Sequence, residues 1–191
     1  MKAAFVIFGG MTSLDFIGFY DPVTRLKSMR IMEDFGWRIC STARQVIDDR
    51  GLRFEAEAVA ESLSSYDLLF LPGGFGTRLL QNNRGFVDWL KTAQSVPLKV
   101  SVCTGALLLG AAGFLLGRRA TTHPSAYKEL GPYCRTVVHD RVVDEGDVIT
   151  GGGVSSSIDL GLHVVQRLAG PEARERIANQ MDYPYRWNPQ G

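Results

Sequence analysis

The sequence has no long apolar run, almost no excess charge and few of the side chains that bind metals. No window approaches the roughly 18 apolar residues that a membrane-spanning helix needs, so we expect no membrane association. The first apolar run ends at Gly9 and is too short for a secretory signal peptide, which favours a cytoplasmic protein. The net charge of +1 is too small to attract nucleic acid, so we expect no nucleic-acid partner.

Cysteine and histidine are equally sparse. The three cysteines, Cys40, Cys103 and Cys134, lack paired or metal-like spacing, which is typical of reduced thiols. Cys40 and Cys134 are most simply structural. The three histidines lie far apart in the sequence, so there is no local zinc motif. We therefore expect a protein that works without a metal or a cofactor.

The composition that is present, with 45% hydrophobic residues, suits one globular domain over residues 1–191. A continuous apolar run at residues 3–8 is typical of a central parallel strand covered on both faces, and residues 66–71 are a further predicted central strand. Their alternation with helical segments predicts an α/β fold, in which an open and mainly parallel sheet carries helices on both faces.

Turn and capping residues indicate several boundaries. Asp21 and Pro22 suit an N-cap and a first helical position, so Asp15 is expected in a loop over residues 9–18. The first helix then runs to about Phe35. The other expected elements are an edge hairpin at residues 52–59 and helices at residues 84–95, 155–168 and 171–181.

Residues 99–106 are typical of a short apolar strand that turns directly into a buried helix, with Cys103 at the junction. A side chain there lies beside the first free N–H groups of the helix, which stabilise an anion together with the helix dipole. A thiol in that place has a lowered pKa and becomes a nucleophile. From these residues alone, a buried structural cysteine is an equal alternative.

Other candidate site residues also follow predicted strands. Open α/β sheets place their sites beyond the carboxyl ends of the strands. Asp15, the Gly73-Gly74 pair, Cys103 and glycines 151–153 all lie just after such strands, so they can converge.

These motifs together resemble the DJ-1/PfpI superfamily over roughly residues 2–170. The resemblance rests on Asp15 and on four further segments, Leu71-Pro72-Gly73-Gly74, Ser101-Val102-Cys103-Thr104-Gly105, Ala120-Thr121-Thr122-His123 and Thr150-Gly151-Gly152-Gly153. It implies a flavodoxin-like core, shared with class I glutamine amidotransferases, and a nucleophile elbow at Cys103. It also implies a homodimer, for which the apolar residues 16–20 are a candidate contact.

Within the superfamily the sequence is most similar to isocyanide hydratases, which add water to an isocyanide to give an N-substituted formamide. The marks of that branch are an aspartate in the first loop, here Asp15, and threonine rather than histidine after the cysteine, here Thr104. The resemblance implies that a Cys103 thiolate attacks the isocyanide carbon and that a protonated Asp15 supplies the proton. Gly73 and Gly74 are candidate N–H donors for an oxyanion hole, with the N–H and hydroxyl of Thr104 beside them.

The sequence departs from that branch at two places, which leaves the substrate open. Phe19 follows Gly18 where proline is usual, and Pro124 follows His123 where tryptophan is usual. His123 is expected to have a structural role. The segment beyond Met181 is short and aromatic.

Three other functions remain alternatives. A glyoxalase-like or deglycase-like enzyme of the same superfamily would use the same cysteine. The ligand-sensing half of AraC-type regulators shares the Cys-Thr elbow and the triple glycine, but those proteins carry a helix-turn-helix region that this sequence lacks. In an oxidative-stress sensor, Cys103 would instead be oxidised to a sulfinate.

Overall fold

The computed structural model describes residues 1–184, in which eleven strands and six α-helices are found. The strands are β1 (Lys2–Val6), β2 (Gly36–Ser41), β3 (Gln45–Ile47), β4 (Arg53–Glu55), β5 (Ala58–Val59), β6 (Leu68–Leu71), β7 (Leu98–Val102), β8 (Arg119–Ala120), β9 (Thr136–Val137), β10 (Val142–Asp144) and β11 (Val148–Gly151). The helices are α1 (Ser13–Ser28), α2 (Gly76–Leu80), α3 (Arg84–Lys91), α4 (Gly105–Ala111), α5 (Tyr127–Leu130) and α6 (Ser156–Gln180).

Seven strands form the central sheet, in the order β10, β11, β7, β6, β1, β2, β5. Neighbouring strands in it are parallel, except that β10 runs antiparallel to β11. Two small sheets are separate from it, one of β3 with β4 and one of β8 with β9. The predicted α/β fold with an open and mainly parallel sheet is confirmed.

The core covers the sheet on both faces. Ala3, Ala4, Phe5 and Val6 of β1 are all fully buried, although successive residues of a strand point to opposite faces. The same holds for β6, whose four residues are also fully buried. The carboxyl ends of β1, β6 and β7 lie at one edge of this buried centre, where the candidate site residues follow.

Aromatic side chains hold α1 against the sheet. Phe19 stacks on Phe70 with ring centroids 3.9 Å apart, and Phe16 meets Phe5 edge to face at 6.3 Å. Each such pair contributes about 0.5–1.5 kcal/mol beyond the burial of its area. Because these contacts come from the first half of α1, they also fix the position of Asp15.

Glycines bring α1 close to α6. A Cβ atom on Gly161 would lie 2.5 Å from Cγ of Pro22, and one on Gly18 would overlap the hydroxyl of Ser157. The two helices therefore touch with almost no side chain between them, an approach that only glycine permits.

The first helix begins earlier than predicted. Asp15 lies in the first turn of α1 rather than in a loop, and Pro22 lies inside the helix rather than at its first position. A proline in a helix interior costs about 3 kcal/mol. Burial of Phe16 and Phe19 offsets that cost. The capping pattern at Asp21 predicts a later helix start, because it contains no information about this burial.

Other boundaries also differ from the prediction. The first helix ends at Ser28 instead of near Phe35. The edge hairpin consists of β3 and β4, whereas Ala58–Val59 extends the central sheet beside β2. A φ of 87° at Gly170 divides α6, so the two predicted final helices are present as two segments. Within residues 1–184, none of the helices is long and apolar enough to cross a bilayer. The aromatic tail from residue 185 lies outside the described residues.

Candidate active site

Cys103 lies on a sharp turn between β7 and α4. Its φ is 55°, a left-handed backbone conformation that L-residues rarely adopt. The turn is held on both sides of the residue. The N–H of Cys103 donates to the carbonyls of Gly151 and Gly152 at 3.0 and 2.7 Å, and its own carbonyl accepts from the Thr122 hydroxyl at 2.7 Å. The predicted elbow is therefore present, and the triple glycine helps to shape it.

Asp15 reaches the elbow from the first turn of α1 and is fully buried. Its Oδ2 accepts the backbone N–H of Gly73 at 2.9 Å. Its Oδ1 is also buried and accepts no N–H or O–H hydrogen bond from the described residues. Burial raises the pKa of the Asp15 carboxyl to about 6, because the hydrogen bonds from Gly73 and Cys103 compensate only in part, and the nearby charge of Asp49 raises it further.

Cys103 is only 5% exposed, and its thiol interacts with the carboxyl of Asp15. Burial, followed by the negative charge of Asp15, raises the pKa of this thiol to about 12, although hydrogen bonds from Thr104 act in the opposite direction. The lowered thiol pKa expected from the helix N-terminus is therefore wrong. Asp15 and Cys103 are thus a buried, coupled pair in which both pKa values are raised, so the pair resists carrying two negative charges at neutral pH.

Gly73 lies where the parts of the site meet. A Cβ atom on this residue would lie 2.6 Å from the backbone nitrogen of Thr104, 2.7 Å from Oδ2 of Asp15 and 2.7 Å from Cβ of Cys103. Only a residue without a side chain allows the carboxyl and the thiol to come together here. The structure brings Asp15, Gly73, Cys103 and Thr104, all candidate site residues, into one cluster.

The oxyanion hole expected from Gly73 and Gly74 is not open. The N–H of Gly73 is bound to Asp15, and the N–H of Gly74 donates to the Thr104 hydroxyl at 2.9 Å. That hydroxyl in turn donates to the carbonyl of Gly74 at 3.1 Å. Buried polar groups require such partners, so these donors serve the protein itself. In this structure the two glycines and Thr104 position the carboxyl and the turn.

A cavity of about 220 Å³ opens above Cys103. Its lining residues are Thr12, Asp49, Arg50, Gly74, Phe75, Arg78, Cys103, Thr104, His123, Ser125 and Val154. Asp15 and Gly73 are not among them and lie beneath the thiol. A molecule in the cavity therefore meets the sulfur of Cys103 before it meets the carboxyl of Asp15.

Most residues of the cavity wall were not predicted from the sequence. Asp49 and Arg50 lie in the turn between β3 and β4, and backbone hydrogen bonds connect this turn to the segment after β1. Gly10 donates to the carbonyl of Ile47 at 2.8 Å, and Asp49 donates to the carbonyl of Met11 at 2.9 Å. No local sequence pattern predicts such long-range contacts. His123 was assigned a structural role, and Nδ1 of its ring does accept the N–H of Ser125 at 3.2 Å, but the side chain also lines the cavity.

The other cysteines lie away from the cavity. All three cysteines are free, and burial raises the pKa of the Cys40 and Cys134 thiols above the ordinary value. In the described part of the chain, no group of three or more His, Cys, Asp or Glu side chains is arranged to hold a metal ion.

Comparison with known proteins gives consistent matches. A family model described as the DJ-1/PfpI family matches residues 1–167. An isonitrile hydratase from Pseudomonas putida is 33% identical over 185 residues, which cover 96% of this chain and 78% of that protein. The HTH-type transcriptional regulator CdhR from Pseudomonas aeruginosa is 27% identical over 181 residues, 92% of this chain but 53% of the regulator.

A solved structure agrees with the fold described above. The crystal structure of a ThiJ/PfpI family protein from Pseudomonas syringae has a TM-score of 0.88 and 27% identity, and the match covers 97% of this chain and 76% of that one. The flavodoxin-like architecture implied by the elbow motifs is thereby confirmed.

Proposed function

Because this chain belongs to the DJ-1/PfpI family, we propose that it hydrates a small isocyanide to the N-substituted formamide. The 33% identity to an isonitrile hydratase over most of both chains supports this reaction. The observation that carries the proposal is the isolated pair of Cys103 and Asp15 beneath the cavity. Thr104, which has no titrating side chain near neutral pH, follows the cysteine, so Asp15 is the base in contact with the thiol.

The first step joins the sulfur to the substrate. As Sγ of Cys103 attacks the terminal isocyanide carbon and forms the S–C bond, the Asp15 carboxylate accepts the thiol proton. Asp15 then passes this proton to the same carbon, which gives a neutral thioimidate and restores the carboxylate. A shared proton lets a thiol with a raised pKa act as a nucleophile, since free thiolate is never required.

The second step releases the product and regenerates the free Cys103 thiol. Water adds to the thioimidate carbon, and one of its protons reaches the substrate nitrogen. The S–C bond then breaks, and the remaining hydroxyl proton returns through Asp15 to the sulfur. The products are the N-substituted formamide and the Cys103 thiol, so all atoms balance without metal or cofactor.

A ligand sensor is the second candidate, because the similarity to the regulator CdhR covers 92% of this chain. A sensor would bind a small molecule in the same cavity without turnover. Direct oxidation sensing fits less well, since Cys103 is only 5% exposed and the raised pKa of its thiol makes it a poor target for peroxide.

The test is a panel of small isocyanides, methylglyoxal and peptide amides offered to the purified protein. We expect formamide from the isocyanides, complete loss of turnover in Cys103→Ala and full activity in the control Cys134→Ala. Removal of methylglyoxal through Cys103 without formamide formation would establish the glyoxalase-like alternative. Tight binding of an isocyanide without any turnover would favour the sensor.

A further inference from the structure

Arg50 provides a positive charge at the cavity above Cys103. The residue is exposed and belongs to the cavity wall, at the turn between β3 and β4. This turn is well ordered, because Oδ1 of Asp48 accepts the N–H groups of Arg50 and Leu52 at 2.9 and 2.7 Å. Within residues 1–184, no carboxylate pairs with the Arg50 side chain. The backbone is therefore fixed while the charged group stays available.

The remaining polar wall includes a second arginine, Arg78, and side chains that can donate hydrogen bonds. Arg78 is held by Glu129 through its Nε and Nη2 atoms, at 3.1 and 2.8 Å. Ser125 and His123 complete this side of the cavity. A guanidinium presents planar N–H groups that match the two oxygens of a carboxylate, so this wall suits an anionic group.

Asp49, the one acid in the wall, is turned into the protein. Its Oδ2 accepts the Thr12 hydroxyl at 2.8 Å, and its Oδ1 is buried. Its carboxylate therefore forms no ion pair with the guanidinium of Arg50, although the two residues are neighbours in the chain. The free charge that remains on the cavity side is positive.

We propose that the substrate is an isocyanide that carries a carboxylate, and that Arg50 binds this carboxylate while the isocyanide carbon meets Cys103. The inference rests on the proposed hydration, and it names the substrate class of the same site. A cavity of about 220 Å³ accommodates a small isocyano acid between the two residues. Neutral isocyanides fit the same space but leave the guanidinium without a partner.

Isocyanoacetate and its methyl ester provide the test, because they share the reacting carbon and differ in the charged group. We expect the wild-type protein to prefer the acid in kcat/KM. Arg50→Gln should lower kcat/KM for the acid by about tenfold or more, as expected for the loss of a hydrogen bond between charged groups. It should lower kcat/KM for the ester far less, because the ester has no negative charge for the guanidinium to bind. Arg50→Lys should give an intermediate loss, since it keeps the charge but not the planar donors.

Arg53→Gln is the matched control, because Arg53 is an exposed arginine of the same hairpin that does not line the cavity. This variant should hydrate both compounds at the wild-type rate. An equal effect of Arg50→Gln on acid and ester, or equal losses in both arginine variants, would overturn the inference. Hydration of the ester would continue in that case, so the proposed function would survive.

A binding measurement separates the two proposals further. N-Formylglycine, the expected product, should protect Cys103 from alkylation in the wild type, whereas N-formylglycine methyl ester should protect it less. Arg50→Gln should abolish this difference. If neither isocyanide reacts but the charged product still protects through Arg50, hydration is wrong and the anion site stands. If both products protect equally, the anion site is wrong.

Discussion

Gly73 donates its backbone N–H to Oδ2 of Asp15 at 2.9 Å, and the missing side chain of the same glycine leaves the space that this oxygen occupies. One residue thus both anchors the carboxyl and makes room for it. Because the carboxyl lies beside the Cys103 thiol, the spacing of the Asp15–Cys103 pair depends on this backbone position.

Substitution of Gly73 by alanine should disrupt the pair. The new methyl group would overlap Asp15, Cys103 and the backbone of Thr104, and overpacking of this kind costs about 1–3 kcal/mol. We expect a lower free energy of unfolding in urea and loss of formamide production. Gly131→Ala is the control, since a Cβ atom at Gly131 meets nothing within 4 Å. Equal stability of the two variants would contradict this account.

Replacement of Asp15 by asparagine should change thiol reactivity and turnover in opposite directions. Removal of the carboxylate charge lowers the pKa of Cys103, so iodoacetamide should alkylate the thiol faster at pH 8. Turnover should nevertheless be lost, because an amide cannot accept the thiol proton. The exposed Asp88 provides the control variant Asp88→Asn, which should change neither rate. Slower alkylation in Asp15→Asn would show that the carboxyl activates the resting thiol.

The activity of the wild type should fall as the pH drops below about 6, the raised pKa of Asp15. Below that value the carboxyl is protonated and no longer accepts the thiol proton. The Asp49→Asn variant should move this acidic limb to lower pH, because the charge of Asp49 contributes to the raised pKa of Asp15. Activity that increases on acidification would instead support a protonated Asp15 as the working form.

Stability should show the same titration. A carboxyl whose pKa is raised by folding binds its proton more tightly in the folded state, so its contribution is retained at low pH. The contribution is lost as the pH rises from the ordinary value of 3.8 through about 6, to a total of about 3 kcal/mol. Asp15→Asn should therefore be more stable than the wild type in urea at pH 8, with a smaller difference at pH 5. If Asp15→Asn is less stable than the wild type at pH 8, the ionised carboxyl of Asp15 does not destabilise the fold.

We also expect a homodimer. The aromatic residues Phe16 and Phe19, which suggested a contact surface, are buried within the chain itself. The exposed apolar side chains of the same helix are Leu14 and Ile17, at 50% and 45% exposure, and they lie one turn apart. Sedimentation at micromolar concentration should show a dimer that Ile17→Asp weakens. A monomeric wild type would contradict this expectation.

The elbow could be predicted from the sequence because its signal is local. A short apolar strand, a cysteine and a buried helix follow one another without interruption, and their order leaves few other arrangements. The start of α1 could not be predicted in this way. Asp21 and Pro22 form a good local start signal, and only burial of Phe16 and Phe19 against the sheet overrides it.

The pKa values of Asp15 and Cys103 depend on how deeply the two side chains are buried, and no pattern in the sequence predicts that burial. The helix N-terminus alone would lower the pKa of Cys103, but burial and the carboxylate of Asp15 reverse the direction. Arg50 was missed for a similar reason. The predicted edge hairpin at residues 52–59 begins after Arg50, and the position of its turn near the elbow depends on hydrogen bonds to the segment after β1.

The contact between Gly161 and Pro22 has a mechanical consequence for the Asp15–Cys103 pair. Asp15 is part of α1, and at Gly18 and Gly161 the helices α1 and α6 approach so closely that only the side chains of Ser157 and Pro22 lie between them. Any displacement of α6 is therefore transmitted as a rigid shift of the carboxyl relative to the sulfur, which is held separately by β7 and the triple glycine. The packing of α1 on α6 therefore sets the distance between the Asp15 carboxyl and the Cys103 thiol, although no residue of these two helices lines the cavity.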